Sequence, residues 1–401
     1  MAKTGIKITT TDTVLGASID VNTTSMIIGS DGMFSSSSGL GGGDAISGRS
    51  YEELVRKGLA EDTVLAYFVK TYFSTDGEID LTGNLLWVGQ AESEYELKEA
   101  IRATTVKSFA ERPRQVCIAY AIGADNSSAN TGLTSPQTLS SVLADLAHEG
   151  IRCVAVTSTR LENESVSLLE ALENNGYPLE GSPFVALNIM GEQPEEFAST
   201  DVMTGAAIAV RDLAALSVGT SIGDGGRAPM QNLVGIPINN GESDASETIN
   251  VKSLTQAELD ALGAAQVHFT RTRPPRNGVW WNDGATCNDP ANALSTLEAA
   301  RTICAMADDL QSFFVPYINT RVPVTSTGDI QSAYKQVVLD NARAAVVQKY
   351  IESGDISDAR INLVAKDNDM IGTRTWEVTL SILPAPTLRW IDGYVFYVKS
   401  L

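Results

Sequence analysis

Val116-Cys117-Ile118-Ala119-Tyr120-Ala121, Cys153-Val154-Ala155-Val156-Thr157 and Phe184-Val185-Ala186-Leu187-Asn188-Ile189 are three short apolar runs, each with the composition of a buried strand. Between the first and second, Thr138 to His148 has helical periodicity and ends at Glu149-Gly150. Between the second and third, Ser165 to Glu173 does the same. A strand without alternation has both faces covered, and strands separated by helices are joined by crossovers. The stretch therefore predicts a largely parallel sheet. Ala206 to Leu216 adds a further buried helix, rich in alanine.

Toward the N-terminus, Ser25-Met26-Ile27-Ile28-Gly29 reads as a strand, followed by a flexible tract from Ser35 to Gly43 that has no means of packing. A helical pattern opens near Tyr51 and runs past Ala66-Tyr67-Phe68-Val69, and Gly77 interrupts the chain beyond it. Leu85 to Gly89 is the next strand. Ser93 to Phe109 is an amphipathic helix, with Ser93 and Glu96 at capping-box spacing.

Toward the C-terminus the pattern changes near Gly284. Asp289-Pro290 has the form of a helix start, and Leu294, Leu297, Arg301, Cys304 and Leu310 keep one face apolar up to Phe313-Phe314. A second helix opens near Gly328-Asp329, carries Ile330, Tyr334, Val337, Ala344 and Ile351, and closes at Ser353-Gly354. Ile361 to Val364 is a strand. In the next, Trp376, Val378, Leu380 and Ile382 alternate with polar residues, as in a sheet with one wet face.

Both ends are strand-like. Ile6-Lys7-Ile8-Thr9-Thr10-Thr11 alternates, and Arg389 to Ser400 is aromatic and β-branched. Such ends either close the chain's own sheet or pair with a neighbour's exposed edge. The expected fold is an α/β body with a largely parallel sheet plus an α+β C-terminal domain, with extended β-strand arms at both termini. The divisions are 1–22 (N-terminal arm), 23–284 (body, divisible near residue 110), 285–386 (α+β domain) and 387–401 (C-terminal arm).

The formal net charge of −20 over 401 residues makes nucleic acid and anionic membrane poor partners. From Arg321 onward basic and acidic residues are nine each, so the preceding 320 residues, with 20 basic and 40 acidic groups, hold the whole excess. A neutral C-terminal region beside an acidic body fits an assembly surface beneath a solvated exterior, although ordinary surface variation accounts for it equally well. Cys117, Cys153, Cys287 and Cys304 show no paired spacing, which points to a reducing compartment. No charged-then-apolar leader opens the chain, and no apolar run approaches the roughly 20 residues of a bilayer span, so a soluble protein without a signal peptide is expected.

Residues for chemistry are sparse. Gly39 to Gly48 lacks the lysine and hydroxyl residue of a phosphate loop. His148 sits at a helix C-terminus and His268 in an apparent strand, neither at metal-ligand spacing from a cysteine or acid. Asp308 and Asp309 are adjacent on a helix, so their carboxylates splay apart. Asp367-Asn368-Asp369 lacks the glycine and terminal glutamate of a calcium loop and reads as a polar turn. Gly219 to Gly226 could hold an anion but enters no clear helix. No catalytic residue, metal or cofactor is expected.

The order of segments after Ala206 resembles a known family. The alanine-rich helix leads through Gly219 to Pro229, then Leu233-Val234-Gly235-Ile236. Leu254-Thr255-Gln256-Ala257-Glu258-Leu259-Asp260-Ala261-Leu262 comes next, then a strand, Gly278-Val279-Trp280-Trp281 and Asn282-Asp283-Gly284-Ala285-Thr286. Arg301 in its helix, Phe313-Phe314, Asn319, Thr327-Gly328, a long helix and two long strands complete it. This is similar to the contractile tail sheath proteins of phages and related contractile injection systems. Met26 to Gly29 and Val69-Lys70-Thr71-Tyr72-Phe73 sit where that family has its first strand and an aromatic-ended helix. The glycine–serine tract near Ser35 departs from the proline-rich loop usual there.

The resemblance implies a non-enzymatic subunit that stacks in hexameric rings around an inner tube, with baseplate and terminator proteins at the ends. It implies assembly in the bacterial cytoplasm into a phage tail or injection particle, without nucleic-acid binding or membrane insertion. Terminal arms would add strands to neighbouring copies, through Ile6 and Ile8 at one end and Tyr394, Val395, Phe396, Tyr397 and Val398 at the other. Lys335, Arg343 and Lys349 are the candidates for the tube-facing helix, against the plainer reading of solvated charges. Two alternatives stand: an enzyme or nucleotide- or sugar-binding protein using the Gly219–Gly226 loop, and another structural subunit of a particle.

Overall fold

The computed structural model describes residues 24–385 apart from 30–33, 62, 75–78, 80, 82, 107–110, 120, 124–132, 134, 159–160, 163–167, 175, 178, 192–199, 203–204, 225–229, 231–232, 234, 240–245 and 274–275. Both expected arms, with Ile6, Ile8, Tyr394, Val395, Phe396, Tyr397 and Val398, lie outside the described residues.

The first eight strands in chain order are β1 (Ser25–Gly29), β2 (Ala45–Gly48), β3 (Leu86–Gln90), β4 (Gln115–Ile118), β5 (Ala121–Gly123), β6 (Val154–Ser158), β7 (Leu161–Glu162) and β8 (Val185–Asn188). The rest are β9 (Thr200–Val202), β10 (Gly235–Asn239), β11 (Ser246–Asn250), β12 (Thr270–Thr272), β13 (Val279–Trp281), β14 (Ile356–Ala365) and β15 (Trp376–Pro384). Six of them form the central sheet in the order β2-β3-β1-β4-β6-β8, parallel except for β2, which runs antiparallel to β3. The expected parallel sheet is thus observed, with an antiparallel edge strand.

The sheet's unbroken apolar runs have a direct cause. In β1, Ile27 packs into one core while Met26 and Ile28 pack into another, and in β4 Cys117 and its neighbours Val116 and Ile118 divide in the same way. Helices α1 (Tyr51–Arg56), α2 (Val64–Phe73), α3 (Glu94–Ala103), α4 (Pro136–His148), α5 (Leu168–Asn174) and α6 (Gly205–Ala214) supply the covering layers. Leu97, Ala100 and Ile101 of α3 and Leu139, Val142 and Leu143 of α4 cover one face, and α2 and α6 cover the other. Gly205 allows α6 to approach β8 closely, because a Cβ there would stand 2.1 Å from Asn188 Oδ1 and 2.6 Å from Met190 O.

Three local expectations are corrected. The helix from Tyr51 is two helices, because Gly58 adopts φ +120° after the Lys57 cap and Thr63 opens α2 by accepting from Ala66 N. The Ser35–Gly43 tract is folded onto its neighbours, with Ser35 N donating to Gly58 O at 2.8 Å and Gly43 N to Gln90 O at 2.8 Å, and leads into β2. Asp289-Pro290 makes a turn, its carboxylate accepting from Ala291 N. The helix starts later, where Thr296 accepts from Ala299 N.

After α7 (Gln256–Ala264) the C-terminal elements are α8 (Leu297–Phe314), α9 (Ser332–Ala342), a π-helical turn (Arg343–Val347), α10 (Gln348–Glu352) and α11 (Met370–Thr373), beside β14 and β15. Their core centres on Trp376, with the rings of Phe314, Tyr317 and Tyr334 at centroid distances of 6.1, 5.6 and 6.4 Å. Leu297 and Ala300, at the start of α8, join the core of the sheet, while Leu310 and Phe314 at its end join the Trp376 core. One helix is therefore shared by both.

Candidate assembly surface

β14 and β15 pair antiparallel from Ile356↔Pro384 to Ala365↔Trp376, with a register shift between Ile356 and Asp358. Ile356, Ala359, Leu363, Ala365 and Trp376 are buried, whereas Glu377, Thr379 and Ser381 are exposed, as period-2 alternation requires. Among the described residues no third strand pairs with this ribbon. Its outer edges offer rows of backbone donors and acceptors, the usual template for an added strand.

The helix beside the ribbon deploys its charges differently from a simple reading of its sequence. Arg343 donates to Ala359 O at 2.7 Å and Asp358 Oδ1 at 2.8 Å, and that hydrogen bond is the main reason the Asp358 carboxyl lies below its ordinary range. Lys349 Nζ lies 2.6 Å from Asp309 Oδ2, and Lys335 is half-buried. Arg343 and Lys349 thus brace the subunit's own elements. One exposed row at three- and four-residue spacing is Ala333, Val337, Asn341, Ala344 and Gln348, free of formal charge, with Val337 58% exposed, and beside it Gln336, Asp340 and Arg343 are exposed as well. Val337 and Ala344, expected on the helix's apolar face, are exposed instead. The available signal was the lack of charge along the row.

A buried ionic cluster joins this region to the sheet. Asp308 Oδ1 accepts from Arg152 Nη1 at 2.7 Å, and Asp308 also pairs with Arg114. Burial pushes Arg114 down and Arg152 down to about 10. Asp309 accepts instead from Tyr350 Oη at 2.6 Å, and burial, then the Asp309 charge, push that phenol up. The two carboxylates splay apart as expected, and each ties α8 to a different element.

Arg301 donates to Leu213 O at 2.7 Å and Leu216 O at 3.0 Å, capping the C-terminus of α6. In the Gly219–Gly226 loop, the Gly219 amide donates to Asp355 Oδ1 at 2.9 Å, so this donor already serves a carboxylate of the same chain. Gly225 and Gly226 lie outside the described residues.

His268 is fully buried near Trp281, its backbone stitched to Leu187 and Ile189, and burial pushes its imidazole down to about 4. Cys117, Cys153, Cys287 and Cys304 are buried free thiols. Among the described residues, no group of three or more His, Cys, Asp or Glu could hold a metal ion, and no helix is long and apolar enough to cross a membrane.

No protein-family model matches the chain, and no curated protein matches it. Solved structures do match in fold. A chain of the 6-fold symmetrised cryo-EM structure of the anti-feeding prophage baseplate superposes with TM-score 0.61 at 10% identity, covering 99% of each chain. A chain of that baseplate in its contracted state gives 0.59 at 12% identity, over 97% of each. The sheath tail protein Lin1278 from Listeria innocua gives 0.53 at 9% identity, over 90% of this chain and 92% of that one. The likeness drawn from the sequence is met at the level of fold: the chain has the fold of a contractile sheath-type protein.

Proposed function

We propose that the chain is a structural, non-enzymatic subunit of a contractile sheath, polymerising as stacked hexameric rings around an inner tube and contracting to drive that tube through a target envelope. The observation that carries this reading is the likeness to a sheath tail protein along nine-tenths of both chains, together with likeness to chains of two baseplate structures, one in the contracted state. The open ribbon of β14 and β15 supports strand exchange, with the segments holding Ile6 and Ile8 and holding Tyr394 to Val398 as the donated strands. Backbone ladders link copies without a rigid side-chain interface, so the copies can rotate and remain joined.

In this reading residues 23–284 form the outer body and 285–386 the assembly domain, with the Ala333–Gln348 row facing the tube and Lys335, Arg343 and Lys349 flanking it. Baseplate and terminator proteins would bind the ends of the stack, and the particle would assemble in the bacterial cytoplasm as part of a phage tail or injection apparatus. Negative-stain electron microscopy of the purified full-length chain tests this. Long tubes or stacked rings are expected, whereas a monodisperse monomer or dimer that binds a nucleotide would overturn it. Deletion of 387–401 is expected to leave the secondary structure seen by circular dichroism and to abolish polymers. Tubes formed without that segment would remove its part in strand exchange.

A further inference from the structure

A cavity of about 330 Å³ lies where α8, the Gly219 loop and the end of β15 meet. Its carboxylate and hydroxyl groups are engaged or shut away. Asp355 Oδ1 accepts from Gly219 N at 2.9 Å and from Ser217 Oγ at 3.0 Å, and Asp355 Oδ2 accepts from Ser353 Oγ at 2.6 Å. Glu298 is buried, and the Thr302 hydroxyl is sealed from solvent. An occupant therefore meets mainly hydrocarbon, from Leu294, Ala299, Ile303, Ile382, Pro384 and Ala385. Such a concave wall favours an apolar side chain and holds nothing in reserve for a charged one.

The chain itself carries apolar side chains to the rim. On β15, Trp376, Val378, Leu380 and Ile382 pack into the C-terminal cores, and Ile382 and Pro384 also line the cavity. The same period-2 series runs on past the last described residue, Ala385, as Pro386, Leu388 and Trp390, and stops at Asp392. β14 gives this continuation no partner, because its pairing with β15 ends at Ile356↔Pro384.

We propose that this cavity is a socket for the chain's own segment 386–390, with Leu388 inserted and Trp390 covering the mouth. The inference deepens the strand-exchange reading, on which it rests for its role, by dividing the C-terminal arm into a root held on its own subunit and a donated strand, Tyr394 to Val398. Proximity selects the chain's own segment over a second copy's. Leu388 lies three residues beyond Ala385, itself a lining residue, and so within roughly 11 Å of the wall even when extended. A tether that short gives an effective concentration on the order of millimolar, which a neighbour's segment must exceed to displace it. A root fixed in this way sets the point from which the donated strand departs, so less conformational freedom is lost when that strand pairs with a neighbour.

Full-length protein carrying benzoylphenylalanine at Trp390, mixed from ¹⁴N and ¹⁵N preparations and irradiated, tests the placement by mass spectrometry. Cross-links to residues 293–303 that never join different isotopes are expected. Cross-links to those residues that do join different isotopes would overturn the own-chain occupant, and cross-links confined to other residues, or none, would overturn the socket. The cross-link is read equally on single subunits and on polymer, so the socket and the sheath reading fail separately. The double variant Leu388→Ser, Trp390→Ser is expected to keep the circular dichroism spectrum of the wild type and to raise the concentration needed for polymers roughly tenfold. An unchanged threshold would overturn the part assigned to the root in presenting the donated strand.

Discussion

Arg152, two residues before β6, places Nη1 2.7 Å from Asp308 Oδ1 in the middle of α8, joining the central sheet to the helix that also anchors the C-terminal core. Both side chains are at least nine-tenths buried. Ion pairs of this kind hold only while complete, because a single charge left behind has no water to solvate it.

Asp308→Ala leaves Arg114 and Arg152 facing one another without their carboxylate. The expected loss is about 3–5 kcal/mol of stability, read as a lowered urea midpoint. Asp309→Ala, which removes a carboxylate 20% exposed from a lysine 49% exposed, is expected to cost less than Asp308→Ala in the same assay. The reverse order would contradict the assignment of Asp308 as the buried hub.

His268 gives a pH dependence with a definite sign. Its folded value, about 4, lies below its ordinary 6.5, so the unfolded chain binds more protons between those values. The stabilisation is complete above pH 6.5 and is lost as pH falls toward 4, by about 3 kcal/mol in all. Urea midpoints of the wild type minus those of His268→Gln, tracked from pH 7.5 to 4, should shrink over that window. A difference that does not change with pH would refute the origin assigned.

Trp376→Ala empties the centre of the Phe314, Tyr317 and Tyr334 cluster, and a loss of about 3–5 kcal/mol is expected by urea unfolding.

Val337→Asp places a charge in the exposed uncharged row. Stability is expected to stay within about 0.5 kcal/mol, while co-sedimentation with the inner tube protein is lost. Retained co-sedimentation would move the tube-facing surface elsewhere.

The fold was legible in the sequence wherever one element's own residues decide its environment. Apolar runs marked strands covered on both faces, and alternation after Trp376 marked a ribbon with one wet face. Helix starts were less legible. Asp289-Pro290 carries a strong local start signal, yet Thr296 is where packing of Leu297 and Ala300 into the sheet core begins. The helix and two strands of the C-terminal region were legible, and their ion pairs were not: Arg343 and Lys349 meet Asp358 and Asp309, which lie 15 and 40 positions away along the chain.

Sequence by itself determined the layers of this protein, since burial of a strand or helix face is written in the periodicity of that segment alone. Only the tertiary structure decided which charges pair with one another. Arg152 and Asp308 are 156 residues apart, and no local pattern records a pairing that exists only once the sheet and α8 have packed together.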